Sequence, residues 1–224
     1  MKTPEQKFAR SYNSPVRAQR AAQAKERIIS AARRRFVEDG YAGTSVAAIA
    51  TDARVSRRTV YDTFSTKKDL LMALLGRMAP LSQLEFEVAL AKAAGDAHAQ
   101  LRIAIDFLVQ YYQDGADVLG MVHAAADADP DIAELERTGE SFRRMAQAPI
   151  VADWSQRGIL RRGLHGDRAA DILWSMTAPQ VYRLFVIECE WTRSDFADWL
   201  CRSLEAQLLV RPEPSENTAG PQAR

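Results

Sequence analysis

Residues 25–75 read KERIISAARRRFVEDGYAGTSVAAIATDARVSRRTVYDTFSTKKDLLMALL, and this stretch decides the fold of the first part of the chain. Apolar residues recur here at helical spacing. They predict a first helix that begins after Pro15 and runs to Asp39, with Phe36 on its buried side. Gly40 is expected to end that helix, because glycine readily adopts the backbone conformation that closes a helix.

Two short helices are predicted next. Thr44 and Ser45 offer hydroxyl groups at the start of the first one. Arg54–Val55 forms a turn, Ser56 is the candidate N-cap, and the second short helix is predicted at Arg57–Phe64. The buried stripe of the first short helix comprises Val46, Ile49, Ala50 and Ala53. Two short helices joined by a tight turn make a helix-turn-helix.

The outward side chains of the second short helix have the chemistry that DNA recognition needs. They are Arg57, Arg58, Thr59, Tyr61 and Thr63. Arginine can bind guanine O6 and N7 with two hydrogen bonds, threonine can contact a base or the thymine methyl group, and tyrosine can donate to a phosphate. Lys67 and Lys68 follow at the start of another helix, where side chains and N–H groups can hold a phosphate. The alternative is a solvated basic face on an ordinary helical bundle.

The charge distribution also favours a polyanion as the partner of the first part of the chain. Residues 1–77 carry 16 Lys and Arg against 7 Asp and Glu, whereas residues 78–224 carry 14 against 22, although the net charge of the whole chain is only +1. Basic side chains that neutralise phosphates release condensed counterions, which favours binding to a nucleic acid. Charge alone does not distinguish DNA from RNA or from a membrane surface.

The order of residues 25–75 resembles the N-terminal domain of the tetracycline-repressor (TetR) family. The shared pattern is a first helix, Gly-Tyr, a Thr-Ser cap, a Val-x-x-Ile-Ala helix, Val-Ser, and then Thr-Val-Tyr-x-x-Phe-x-x-Lys-x-x-Leu-Leu. In this family the second short helix enters the major groove. The resemblance therefore implies DNA contacts from its outward residues and phosphate anchoring by Thr44, Ser45 and Lys67. With the cap residue included, the predicted DNA-binding set is Thr44, Ser45, Ser56, Arg57, Arg58, Thr59, Tyr61, Thr63 and Lys67.

The same resemblance implies a ligand-responsive transcriptional regulator that binds a palindromic operator on double-stranded DNA as a homodimer. Repression relieved by a small-molecule effector is the commoner mode in the family. The sequence identifies neither the effector nor the target genes, and it does not decide between repression and activation.

The chain departs from the family pattern at two positions. Arg54 stands where the family usually has glycine, and a residue with a side chain at positive φ costs roughly 1 kcal/mol. The turn is therefore expected to be strained or reshaped. Arg58 stands where a small residue often precedes the threonine, and it adds a cation at the groove.

The chain as a whole is predicted to be all-α. Residues 15–66 form the helix-turn-helix domain, residues 67–210 form a helical domain for ligand binding and dimerisation, and residues 1–14 and 211–224 are expected to be disordered arms. Breaks that bound roughly five or six helices of the second domain are expected near Pro80, Gly95, Gly115, Pro130, Gly158, Gly163–Gly166 and Trp191–Thr192. The sequence has no apolar run of about 18 residues, so we expect no membrane partner and a cytoplasmic location.

Aromatic and methionine side chains recur at helical spacing in the second domain. The resemblance implies that these helices enclose an inducer cavity, and apolar pockets with a few polar groups suit small ligands. Core packing is the competing interpretation for each residue. The candidate ligand-binding residues are Phe107, Tyr111, Met121, His123, Phe142, Met145, Trp154 and Trp174.

Two predicted helices near the end of the chain, Asp167–Glu190 and Ser194–Val210, are unusually dense in apolar residues. In the resembling family the corresponding pair forms a four-helix interface with a second copy. A lone short recognition helix also reads too few base pairs for useful specificity, which favours a two-fold dimer. The candidate interface residues are Leu173, Val181, Leu184, Phe185, Phe196, Leu200, Leu204 and Leu208.

Two rival functions are weighed against a DNA-binding regulator. An enzyme is disfavoured because the three histidines are scattered and form no metal-ligand or catalytic spacing. They are His98, His123 and His165. Acids near His123 are better explained as helix caps than as metal ligands, no cofactor is expected, and Cys189 and Cys201 are interpreted as free core thiols. The second rival is a ligand-binding or adaptor dimer whose DNA head has lost operator specificity through Arg54.

Overall fold

The computed structural model describes residues 15–78 and 83–210, which are helical apart from turns and an isolated antiparallel bridge between Leu160 and Leu209. The predicted all-α class is confirmed. The two predicted disordered arms lie outside the described residues. Clusters of contacts divide the chain into two compact units, with the boundary between Arg77 and Met78.

The first unit contains four helices in its described part. They are α1, Pro15–Gly43; α2, Val46–Asp52; α3, Arg57–Thr63; and α4, Lys67–Leu75. The regular path of α1 breaks at Gly40, which has φ +73° and ψ 166°, so the predicted stop at this glycine is confirmed. The side chains with no exposed surface are Ile28, Ala32, Phe36, Ile49, Val60, Leu70 and Leu71. Because all four helices contribute to one small core, that core fixes the orientation of α3.

Helix α4 belongs to the first unit and not to the second. It packs on α1 and buries Leu70, Leu71 and Leu74. Its start is closed by a capping box in which the Thr66 hydroxyl accepts from the Asp69 N–H at 3.0 Å and the Asp69 carboxylate accepts from the Thr66 N–H at 2.9 Å. The domain boundary predicted after residue 66 is therefore too early, because α4 completes the N-terminal core.

The second unit contains six further helices and a π-helical turn in its described part. They are α5, Gln83–Lys92; α6, Ala97–Ala126; α7, Pro130–Gln156; α8, Gly166–Met176; α9, Pro179–Tyr182; the π-helical turn, Arg183–Glu188; and α10, Arg193–Leu208. Its core lies where α6, α8 and α10 meet, and α7 covers both α6 and α8. Tyr112, Trp154 and Phe196 are the largest side chains in that core.

Two expectations about the second unit are wrong. Gly115 does not end a helix but lies inside α6, because the Met78 side chain packs so closely that a Cβ at Gly115 would lie 1.9 Å from its Cε. The helix predicted at Asp167–Glu190 is interrupted before Pro179. Proline lacks an N–H group and disfavours helical backbone in the residue before it, and Ala178 is accordingly extended, with φ −67° and ψ 144°.

Candidate DNA-binding surface

The turn between α2 and α3 contains a strained residue. Arg54 has φ +54°, in the left-handed region, so the strain expected at this position is present. Hydrogen bonds hold the turn on both sides: the Arg54 N–H donates to the Thr51 carbonyl at 3.1 Å, and the Val55 N–H donates to the Ala50 carbonyl at 3.0 Å. The turn therefore keeps the tight geometry of a helix-turn-helix at the cost of an unfavourable backbone conformation.

Helix α3 is fixed at its start by a cap and along one side by the core. The Ser56 hydroxyl accepts from the Thr59 N–H at 3.0 Å and lies 2.8 Å from the Thr59 hydroxyl. Val60 is fully buried and Phe64, the C-cap residue, is also buried. The role of Ser56 in this structure is that of the predicted N-cap.

The outward residues of α3 differ little in their accessibility. Arg57, Arg58 and Thr63 are exposed, Tyr61 is 54% exposed despite its large ring, and Thr59 is half-buried. The Thr63 hydroxyl donates to the Thr59 carbonyl at 2.8 Å, so it can offer only its lone pairs to a partner. All five predicted residues thus keep accessible surface around α3, with the two arginines at its start.

An acidic residue on the same helix was not among the predicted site residues. Asp62 lies one turn after Arg58, and its carboxylate is 3.7 Å from the Arg58 Nε. Both side chains are largely exposed, so the pair contributes little to stability. A carboxylate in this place can orient the arginine or accept from cytosine N4. The i, i+4 spacing of the two charges was the available sequence signal.

Two of the predicted phosphate anchors make hydrogen bonds within the first unit. Thr44 is 3% exposed, and its hydroxyl is 2.8 Å from the carbonyl oxygens of both Arg35 and Gly40. The Lys67 ammonium donates to the carbonyls of Tyr41, at 2.7 Å, and Thr44, at 3.2 Å, and lies 4.2 Å from the centre of the Tyr41 ring. The Thr44 hydroxyl is therefore not accessible to a phosphate, and Lys67 ties the start of α4 to the segment between α1 and α2.

Ser45, the third predicted anchor, has an exposed side chain and caps α2. Its hydroxyl accepts from the Ala48 N–H at 3.1 Å. Such a cap leaves the hydroxyl hydrogen available, so Ser45 can still donate to a phosphate at the N-terminus of α2. Of the three anchors implied by the resemblance, Ser45 keeps the most suitable geometry.

An arginine clamp holds α2 on α1. The Arg35 guanidinium donates from Nε to Asp52 at 2.7 Å and from a terminal nitrogen at 3.0 Å, and it also contacts Asp39 at 3.1 Å. The hydrogen bonds from Arg35 hold the pKa of Asp52 below its usual value, and the positive charge of Arg35 acts in the same direction. Sequence analysis did not identify this pair, because the two residues lie 17 positions apart.

The predicted ligand-binding residues of the second unit differ in their exposure. Trp154 is fully buried, and its Nε1 donates to Gln100 at 2.9 Å, so it is a core residue. Phe142 and Met145 are exposed, and His123 is exposed with Nδ1 2.7 Å from Glu136. Core packing or surface exposure explains these residues. Met121 is buried, and those that remain partly accessible are Phe107, Tyr111 and Trp174.

A polar cluster surrounds Thr177, where α7 meets the end of α8. The Thr177 hydroxyl donates to the Leu173 carbonyl at 2.6 Å and accepts from Arg143, at 3.1 Å, and from the Gln147 amide nitrogen, at 2.8 Å. The Arg143 guanidinium also lies 5.0 Å from the centre of the Trp174 ring. Within this cluster two buried atoms have no hydrogen-bond partner, namely Gln147 Oε1 and Trp174 Nε1. An unpaired buried donor and acceptor are unusual and costly.

Elsewhere in the second unit, α5 and α6 border an open groove of about 460 Å³. None of the eight predicted ligand-binding residues lines it. The lining residues are Ala89, Lys92, Ala93, Ala94, Asp96, Ala99 and Ile103.

The predicted dimer residues separate into two groups. Five lie inside a single subunit, and these are Leu173, Phe196, Leu200, Leu204 and Leu208. A side chain already covered within one subunit has no surface for a second copy, so these five are core residues. Leu184 is 48% exposed, and Val181 and Phe185 are half-buried. Ile187 is 58% exposed and Trp191 is 36% exposed, and neither was among the predicted residues. Ile187 is three residues and Trp191 seven residues after Leu184, and this spacing was the available sequence signal.

The remaining features of the described residues concern metals, cysteines and membranes. No group of three or more potential ligands that could hold a metal ion occurs there, and no described helix has the length and apolar character that crossing a membrane requires. Cys201 is buried, and burial raises the pKa of its thiol to about 11. Cys189 is exposed, so the prediction of a core thiol is wrong at that position.

Known proteins resemble this chain at two levels. The sequence model of the family described as "Bacterial regulatory proteins, tetR family" matches residues 28–74, which extend from the first buried residue of α1 to α4. The HTH-type transcriptional regulator CymR of Pseudomonas putida is 30% identical over 160 residues, covering 71% of this chain and 76% of CymR.

Solved structures share the fold at lower identity. NalD, the secondary repressor of the MexAB-OprM multidrug efflux pump in Pseudomonas aeruginosa, superposes with a TM-score of 0.67 at 18% identity, over 85% of this chain and 98% of NalD. SmeT, solved as a complex with triclosan, gives a TM-score of 0.67 at 19% identity with the same coverage. With the match to CymR and the helix-turn-helix geometry described above, the chain belongs to the TetR family of transcriptional regulators.

Proposed function

We propose that this protein is a repressor that binds a palindromic operator as a homodimer through α3, and that a small-molecule effector releases it. The observation that carries the proposal is the exposed polar face of α3, with Arg57, Arg58 and Tyr61 held outward by a capped start and a buried Val60. A fixed orientation of α3 matters because a bidentate contact between arginine and guanine requires accurate placement of the guanidinium group. Each such contact contributes about 1–3 kcal/mol of base discrimination.

A homodimer is needed because α3 has only seven residues and can contact few base pairs. Two copies related by a two-fold axis read two half-sites about one helical turn of DNA apart. The exposed apolar side chains of Leu184, Ile187 and Trp191 support this assembly, since exposed apolar surface favours burial against another protein surface. We place the interface on this surface and on its half-buried neighbours Val181 and Phe185.

The effector site is proposed at the polar cluster around Thr177. A molecule with both a hydrogen-bond acceptor and a donor would pair with Trp174 Nε1 and Gln147 Oε1. Tyr111, whose ring lies 5.7 Å from that of Tyr112, adds a phenol whose pKa is raised by burial and by Glu140. The triclosan complex of SmeT supports effector binding in a protein of the same fold. An effector that prefers the conformation with wrongly spaced α3 helices lowers DNA affinity by that preference.

Selection of DNA fragments from the host genome tests the operator. Purified protein is mixed with fragmented genomic DNA, bound fragments are sequenced, and binding to the recovered site is measured by fluorescence anisotropy at fixed salt. We expect a palindromic site. Retention of fragments without any shared sequence would instead favour the rival function of an adaptor dimer whose DNA head has lost operator specificity.

Variants on α3 then assign the contact surface. Arg57→Ala and Arg58→Ala should each weaken operator binding by about 1–3 kcal/mol and relax the preference at one base position. Arg168→Ala is a matched control, because Arg168 is also an exposed arginine near the start of a helix but lies in the second unit. Unchanged affinity and base preference in both α3 variants would contradict this assignment.

A further inference from the structure

Helix α1 begins well before the core of the first unit. Its first buried residue is Ile28, whereas residues 17–27 are exposed with the exception of the half-buried Ala24. The part of α1 that precedes Ile28, residues 15–27, is called the α1 extension here. The family match begins at residue 28, so the α1 extension lies outside the residues that the family model matches. At 1.5 Å per residue it is about 20 Å long.

The α1 extension is strongly basic. It contains Arg17, Arg20, Lys25 and Arg27, and its single acid is Glu26. Glu26 is paired with Arg77 and its pKa is lowered by that hydrogen bond, so it remains ionised and is already engaged. At about 100° per residue, the three arginines of the α1 extension fall within an arc of about 80° and form one basic stripe. These are Arg17, Arg20 and Arg27.

Core packing does not account for this helix. Alanines, which have the highest helix propensity, occupy four of its positions and explain why it forms without an apolar face. Cations three residues apart on one side, such as Arg17 and Arg20, repel each other by a few tenths of a kcal/mol. A stripe of this kind suits a polyanion, whose phosphates lie at regular spacing.

The C-terminal end of the α1 extension lies beside the end of the recognition helix. The Lys25 ammonium lies 5.9 Å from the centre of the Phe64 ring, and Phe64 is the C-cap residue of α3. DNA bound along α3 would therefore come close to the C-terminal end of the α1 extension. A helix about 20 Å long spans about six base pairs of duplex, at 3.4 Å per base pair.

From this we infer that the α1 extension binds the phosphate backbone of double-stranded DNA flanking the half-site that α3 reads, through the stripe of Arg17, Arg20 and Arg27. The inference rests on the proposed DNA-binding function and adds a second contact surface to it. Phosphate contacts position a protein on the duplex without reading its sequence. The extension therefore raises the affinity for every DNA sequence equally and enlarges the footprint of each subunit.

The salt dependence of binding to a 40-base-pair duplex of arbitrary sequence tests the inference, because it needs no operator. For B-DNA, each lost phosphate contact lowers the slope of log K against log salt by about 0.9. The variant R17Q/R20Q/R27Q in the full chain removes up to three contacts per subunit. Glutamine keeps a high helix propensity, so helicity measured by far-UV circular dichroism should not change. We expect the magnitude of the slope to fall by about 2 or more per bound dimer.

Two matched variants separate the possible causes. R161Q/R162Q/R168Q removes three exposed arginines from the second unit and should leave the slope unchanged. R17K/R20K/R27K keeps the charge and should keep the slope. A smaller fall than about 1 in the glutamine variant, or an equal fall in the second-unit variant, overturns the inference. If the wild-type protein does not bind the duplex at all, the proposed function fails instead. If Arg57→Ala weakens binding but the slope of R17Q/R20Q/R27Q is unchanged, only the α1 extension is removed from the interface.

Discussion

Replacing Arg54 with glycine should stabilise the N-terminal unit. Arg54 has φ +54°, a conformation that costs an ordinary residue about 1–2 kcal/mol but costs glycine nothing. Glycine in turn gives the unfolded chain more freedom, which offsets about 0.4–1 kcal/mol of that gain. The net expectation for Arg54→Gly is a rise of about 0.5–1 kcal/mol in the free energy of unfolding.

Urea unfolding followed by circular dichroism measures this change. With a slope of about 1–2 kcal/mol per molar urea for a unit of this size, the midpoint should rise by about 0.5 M. Arg54→Ala is the matched control, because it removes the same charge but keeps a Cβ at positive φ and hence keeps the strain. Arg54→Asn should lie between the two, since asparagine tolerates the left-handed region better than most residues.

The reasoning is refuted if Arg54→Gly is no more stable than Arg54→Ala. Comparison of Arg54→Gly with Arg54→Ala also separates the effect of the backbone geometry on DNA affinity from the effect of the lost charge. Both variants lose one cation, so any loss of affinity that they share comes from the charge. A difference between them comes from the turn, which is the point on which the adaptor rival depends.

Three other predictions concern a buried threonine, an ion pair and the exposed apolar side chains of the second unit. Thr44→Val should destabilise the protein by about 1–3 kcal/mol in urea unfolding because two buried carbonyls lose their donor, and Thr44→Ser should restore most of the loss. Asp52 has a pKa below its unfolded value, so its contribution is complete at neutral pH and is lost as the pH falls; the stability difference between wild type and Asp52→Asn should therefore shrink between about pH 7 and pH 3, and a constant difference would contradict the ion pair. L184E/I187E should shift the protein to monomer in light scattering, whereas Met145→Glu, which also places a charge at an exposed apolar position, should not.

The sequence predicted the helix-turn-helix in detail because its signals are local. Gly40, Ser45 and Ser56 each act on a helix end within a few residues, and all three have the expected roles. The strain at Arg54 was predictable for the same reason, since the conformation required by a three-residue turn does not depend on the rest of the fold. Local rules thus determined both the backbone and the outward face of α3.

Residue type and spacing did not predict which side chains hydrogen-bond to the backbone of the same unit. Thr44 and Lys67 have the residue types of phosphate ligands, yet both bond to carbonyls of the segment that ends α1. These carbonyls lie on both sides of the break that Gly40 makes in α1. The acceptors of the Thr44 hydroxyl and the Lys67 ammonium therefore depend on the three-dimensional arrangement of the chain, which residue type alone does not reveal.

The candidate interface residues on α10 lie in the core for a different reason. A dense apolar stripe on α10 suggested a partner, but α10 packs against both α6 and α8, and a helix with two neighbours needs apolar residues over a wider arc. The predicted helix Asp167–Glu190 was inaccurate for a second reason. Pro179 interrupts it, so the residues after Pro179 cannot be assigned to a helix face by counting from Leu173. Leu184 and Ile187 become visible as surface residues only once that break is known. Proline has no N–H group and interrupts a helix. A helix break predicted at Pro179 would have separated the buried residues before it from the exposed residues after it.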